Sequence, residues 1–164
     1  MLSKVMILKM FDYSHHINNR LLDLAAKLTP EQWDEPQDIG RRSSLHETLF
    51  HVLIVEEEWL YLCEHEVTRF AFRQIENYPD VAALRAFSDE TYTIMQSYLE
   101  GLDEAALTTT VTGRPPGDQV RTYTVWYLLL HTLFHSAQHR SEAAEMLTRC
   151  GQSPGFIDFI NHDL

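Results

Sequence analysis

Cysteine is scarce in this chain: Cys63 and Cys150 are the only two in 164 residues. They form no metal-type spacing, and two isolated thiols make no disulfide framework. Long apolar runs are missing as well. No stretch approaches the roughly 20 residues that a membrane span requires. The opening segment MLSKVMILKMFDYSHHINNR has neither a long uninterrupted apolar core nor a small-residue cleavage site, so it does not read as a signal peptide. Basic charge is the third shortage. Thirteen Lys and Arg stand against 24 Asp and Glu, a formal charge of −11, and no basic cluster offsets it locally. So acidic a chain repels phosphates, which argues against nucleic acid as a partner. A soluble, cytoplasmic protein without a membrane or nucleic-acid partner is the expectation.

What remains is ordinary globular material, 45% hydrophobic and 23% charged, enough for one domain over residues 1–164 with a core that folds unaided. Four long helical segments are legible. The first runs from about Leu2 to Leu28, with Ile7, Met10, Phe11, Ile17, Leu21, Leu24 and Leu28 near helical spacing. Thr29-Pro30 ends it, because proline disfavours helix in the residue before it. A polar connection through Ile39-Gly40 leads to Ser44 and Glu47, an S-x-x-E capping box that opens a second helix reaching about Glu66. Pro79-Asp80 starts a third, ending near Gly101. From Thr108 to Thr124 the chain turns β-branched and alternating around Arg114-Pro115-Pro116-Gly117, which predicts a short hairpin or extended crossover. The fourth helix spans about Tyr123 to Cys150, with Gly151 as its C-terminal stop. The tail carries Phe156, Ile157, Phe159 and Ile160 and is expected to dock. This pattern predicts an all-α four-helix bundle with crossover connections.

Nine histidines are present, and their placement carries the chemistry. His131, His135 and His139 lie four apart on the last helix. Each such step turns a helix by about 40°, so neighbours in the row can grip one ion, whereas the outer two are about 12 Å apart along the axis. A third ligand must therefore come from another helix. His51 is the candidate, among Phe50, Val52, Leu53 and Ile54, and His46, near the helix end, is the competitor. Three neutral imidazoles suit several divalent metals and leave an open position for water or substrate.

Other residues read more plainly. Glu56, Glu57 and Glu58 suggest a solvated helix face, although Glu58 and Glu47 share the stripe of His51 and either could accept its free N–H. His15 and His16 read as surface or core polar residues with a secondary claim on substrate. Trp59, Trp126, Tyr127 and Phe134 read as core. Cys63 and Cys150 read as packing residues, and Arg140 as half of a structural salt bridge.

Four features resemble the DinB-like superfamily of metal-binding bundles. These are the first-helix segment FDYSHHINNRLLDL, His51 followed by EEEWL, the H-x-x-x-H-R signature at His135-Ser-Ala-Gln-His139-Arg140, and GQSPGFID after it. The resemblance spans nearly the whole chain. It selects His135 and His139 over His131, so that His51, His135 and His139 are the expected metal ligands. It further implies an up-down-down-up bundle, one divalent ion (zinc, nickel, iron or manganese) and a homodimer. One departure is Ser141-Glu142, where many members carry a small residue and glutamine. Glu142 is not a ligand position of the motif, but it alters the charge beside the pocket.

The resemblance also implies a function: a thiol-dependent S-transferase or isomerase, with a metal-activated low-molecular-weight thiol and a small electrophile as partners. A metal-dependent hydrolase and a non-catalytic, metal-binding stress-response protein are the alternatives.

Overall fold

A computed structural model describes residues 3–65, 73–113 and 119–162. The Leu2 start of the first helix, the Glu66 end of the second and the Arg114-Pro115-Pro116-Gly117 turn lie outside the described residues. Four long helices form the body: α1 (Lys4–Ala25), α3 (Leu45–His65), α4 (Val81–Gly101) and α5 (Val125–Arg149). Local signals fix most ends. The Ser3 hydroxyl accepts the Met6 N–H, and Asp80 accepts from Ala83 at 2.9 Å, each satisfying a donor that helix geometry leaves free. Beyond α5, Gly151 takes a left-handed φ of 77°, and the Gln152 N–H returns to the Leu147 carbonyl at 2.8 Å.

The polar connection after α1 holds one more element, the short helix α2 (Pro30–Asp34). Thr29-Pro30 does lie just past α1, but it also opens a turn. Thr29 accepts from Gln32 N–H, the Gln32 side chain reaches back, and proline sits in the first turn. At the start of α3, Ser44 Oγ accepts the Glu47 N–H at 3.2 Å. The return bond lands one residue early, where Glu47 accepts from Ser43 N–H at 2.9 Å.

Helix α1 packs between α4 and α5, and α3 faces them from the opposite corner. Lys4 Nζ donates to the carbonyls of Glu100 and Leu102 at the far end of α4, while Arg85 near its start pairs with Asp23, so α1 and α4 are antiparallel. On α5, His135 and His139 stack edgewise on His51 while Trp59 meets His131, so α3 and α5 run in opposite directions. The order is up-down-down-up.

Core side chains fall into two groups. One surrounds Leu21, Leu45, Leu49, Leu84, Phe87 and Met146, the other Ile7, Leu62, Leu99, Leu128 and Leu129. Glu56, Arg140, Ser14 and Asn18, all buried, contribute a polar cluster to the interior.

The excursion before α5 is a two-stranded antiparallel hairpin, β1 (Thr110–Gly113) and β2 (Arg121–Thr124), with Val111 opposite Tyr123 and Gly113 opposite Arg121. A Cβ at Gly113 would collide with the Leu62 methyls, so the missing side chain lets the hairpin press onto α3. That contact sets Arg121 and Tyr123 on the wall of the cavity described below.

Three aromatic residues expected in the core are outside it. Trp126, Tyr127 and Phe134 are 38%, 54% and 71% exposed, because none of them enters the two core groups and Tyr127 lies instead in the cavity wall; Trp59 packs against the core. The tail docks chiefly through its backbone. Arg20 donates to the Phe156 carbonyl at 2.9 Å and Tyr13 to that of Ile157. Ile157 packs on the core, while Phe156 and Ile160 remain exposed. No helix among the described residues is long and apolar enough to cross a membrane.

Candidate metal centre

Helices α3 and α5 bring His51, His135 and His139 together. One ring nitrogen of each lies within 4.8 Å of the others, and the ring centroids are 4.5 to 5.0 Å apart. The i, i+4 step on α5 places His135 and His139 on one face, as helical geometry requires. His51 meets that face from the antiparallel helix.

The remaining histidines have other partners. His46 stacks on Trp33 with centroids 4.8 Å apart, its Nδ1 is 2.9 Å from the Asp34 carboxylate and its Nε2 donates to the Tyr78 carbonyl at 2.8 Å. His131 turns its ring edge to Trp59 and stays outside the group of three. His15 stacks on Tyr92, and His16 lies beside His162.

Electrostatics favour lone pairs on His51 and His135. Burial, then Arg42 and the neighbouring imidazoles, pushes the His51 pKa down to about 3. Burial and the facing His139 ring take His135 down to about 4. Both are neutral at physiological pH. His135 Nδ1 is buried and has no hydrogen-bond partner, a costly state for a polar atom and one consistent with a ring whose partner is an ion. The donor set therefore fits a divalent metal, with zinc, nickel and iron all suited to imidazole.

His51 and His135 line a cavity of about 870 Å³ between α3, α5 and the hairpin. Phe50, Ile54, Val55 and Trp59 make its apolar wall; Arg42, Arg121, Glu58 and His131 add polar groups. Arg42, from the loop before α3, rests its guanidinium 3.0 Å from His51 Nδ1. Arg73 is held by Glu57 through Nε at 2.7 Å.

The three consecutive glutamates do not form a solvated face. Glu56 and Glu58 are buried, and Glu57 is half-buried against Arg73. Neither Glu58 nor Glu47 supports His51: Glu47 binds Ser43. The carboxylate against a candidate ligand is Glu142, whose Oε2 lies 2.5 Å from His139 Nδ1. The unusual residue after His-Arg, three positions beyond a candidate ligand, was its sequence signal.

Glu58 yields a stability prediction. Burial, reinforced by the neighbouring Glu57 charge, raises its pKa from the ordinary 4.5 to about 7. A carboxyl raised on folding lends stability that is full below pH 4.5 and lost as pH rises through about 7. Glu58→Gln removes that loss. The variant should gain about 2 kcal/mol on the wild type between pH 4.5 and pH 8, since one pKa unit is worth ~1.4 kcal/mol and cavity water screens part of the effect. Urea melts at the two pH values test it; parallel profiles would mean that Glu58 ionises without penalty.

Comparison with known proteins agrees with this architecture. A DinB-like protein of Bacillus subtilis, YjoA, superposes with a TM-score of 0.64 at 17% identity, over 90% of this chain and 92% of its own. YfiT from Bacillus subtilis, described as "a probable metal-dependent hydrolase with an unusual four-helix bundle topology", gives a TM-score of 0.66 at 16% identity, over 93% of this chain and 92% of its own. At such identities the likeness speaks for the fold alone. No curated protein matches the chain in sequence. The family model described as "DinB family" matches residues 1–163, and with the bundle order and the three clustered histidines in place, the chain belongs to the DinB family.

Proposed function

We propose that this protein is a divalent-metal-dependent enzyme that transfers a low-molecular-weight thiol to a small electrophile. The observation that carries the reading is the composition of the cavity wall. Among the described residues it contains no serine, threonine, cysteine or lysine, which favours a nucleophile that arrives with a substrate. Cys63 is no substitute, because burial raises its thiol to about 12. A divalent ion held by His51, His135 and His139 supplies a Lewis acid beside the cavity. Arg42 and Arg121 place positive charge in its wall although the whole chain is strongly acidic, which suits a thiol bearing carboxylates. Phe50, Ile54 and Trp59 offer the electrophile an apolar surface that excludes water.

A hydrolase is the second reading. Glu58 favours it, because a cavity-wall carboxyl with a pKa of about 7 is suited to exchanging a proton with water near neutrality. YfiT, described as a probable metal-dependent hydrolase, shares the fold. Homodimer formation belongs to the same proposal, supported by the exposed Trp126 and Phe134 on α5.

The test compares protein loaded with zinc, nickel, manganese or iron(II) with chelated protein. Bacillithiol, mycothiol and glutathione are each offered an aryl halide and an epoxide, and ester cleavage is followed without thiol. Metal-dependent conjugation is the expected result. Metal-dependent ester cleavage that ignores thiol would select the hydrolase. Stoichiometric metal without turnover in either assay would leave a binding protein.

A further inference from the structure

Glu142 lies one helical turn beyond His139 on α5, and its contact with that imidazole is nearly sealed. The His139 side chain is 7% exposed and that of Glu142 17%. An ionised carboxylate only accepts hydrogen bonds. With Glu142 Oε2 2.5 Å from Nδ1, Nδ1 is the ring nitrogen that donates to the carboxylate, and Nε2 is the one left to face a ligand.

A second segment bears on the same carboxyl. The loop before α3 passes through Gly40 at a φ of 65°, and a Cβ there would fall directly on the Glu142 carboxyl atoms. Glycine is thus required twice, by the left-handed backbone and by the closeness of the carboxyl. Two residues later, the same loop sets Arg42 against His51. One loop therefore touches the carboxylate behind one candidate ligand, about a hundred positions on in sequence, and the ring of another that follows it closely.

We propose that Glu142, packed under the loop at Gly40, is a positioning residue for the metal site that fixes the Nδ1–H tautomer of His139 and presents its Nε2 as the ligand atom. The inference rests on the three-histidine reading above. A charged acceptor behind a ligating imidazole raises its donor strength and locks its orientation, and losing such a partner commonly weakens metal affinity ten- to a hundred-fold.

The experiment measures zinc affinity by chelator competition for the wild type, Glu142→Gln, Glu142→Ala and Gly40→Ala, together with ¹⁵N NMR of the His139 ring in metal-free wild type and Glu142→Ala. The wild type should show Nδ1–H on His139, and Glu142→Ala should lose that preference. The zinc Kd should rise roughly ten- to a hundred-fold in Glu142→Ala, with most of the loss recovered in Glu142→Gln, whose amide carbonyl still accepts. Gly40→Ala should weaken zinc in the same direction without altering α5. An Nε2–H tautomer in the wild type, or a Glu142→Ala affinity within about twofold of it, overturns the proposal while the three-histidine site stands. Folded wild type that binds no zinc overturns the site itself, and this role with it.

Discussion

Alanine at any one of His51, His135 or His139 is expected to abolish stoichiometric metal binding, whereas His46→Ala and His131→Ala should leave it intact. Structural zinc sites with four ligands are worth about 10–16 kcal/mol, roughly 2.5–4 kcal/mol per ligand, so losing one ligand of three weakens affinity by about a hundred-fold or more. Metal content after dialysis reads the effect directly. Thermal melts give an independent readout, because an ion at about a thousand times its Kd stabilises the fold by ~4 kcal/mol, or about 10 °C for a chain of this length. That shift should vanish in the three variants and persist in the two controls. Uniform retention in all five would point to nonspecific binding by acidic surface groups, and full retention after His135→Ala alone would remove His135 from the site.

The two controls mark where sequence pattern stops discriminating. Spacing alone left His131, His135 and His139 as a row and His46 as a rival to His51. The tie is broken by groups that helical periodicity does not contain. His46 is drawn to Trp33, Asp34 and the Tyr78 carbonyl, the last 32 positions away, and His131 is turned onto Trp59. The family resemblance chose the same three histidines that the fold assembles, because the signature already encodes which turn of the last helix faces α3.

Charge and aromatic side chains were the harder part. A run of three glutamates reads as solvent-facing, yet α3 is packed by α4 and α5 and borders the cavity, so three consecutive positions sweep through interior, ion pair and cavity wall. Trp126 and Phe134 are large and apolar, and periodicity on α5 cannot tell a face turned to the core from one turned away when both carry aromatics. The turn at α2 was legible in principle: Thr29, Pro30 and Gln32 spell a capped start that is masked by reading the proline only as a stop.

The buried glutamate of that run carries the largest expected stability effect. Glu56 and Arg140 face each other in the interior, with Arg140 Nη1 3.6 Å from Glu56 Oε1. Ser14 donates to Glu56 Oε1 at 3.2 Å and Asn18 Nδ2 to Oε2 at 3.1 Å, while Arg140 also donates to Ser14. Burial raises the Glu56 pKa and lowers that of Arg140, and each charge opposes the shift of the other. Arg140→Met strands the carboxylate and should cost about 3–5 kcal/mol at neutral pH, a fall in Tm of roughly 10 °C. The sign with pH follows from the raised carboxyl: without its counter-ion Glu56 stays protonated to higher pH in the folded state, and the stability it lends as a neutral acid is lost as pH rises. The deficit of Arg140→Met should therefore be largest at neutral pH and shrink toward pH 4.5. Adding Glu56→Gln, which keeps hydrogen bonds to Ser14 and Asn18 but carries no charge, should recover most of the loss, since a buried ion pair is worth little more than a neutral replacement of similar shape. Calorimetry of the two single variants and the double variant decides it. Additive losses would mean that the pair is not coupled, and a near-normal Tm for Arg140→Met would mean that water already reaches Glu56.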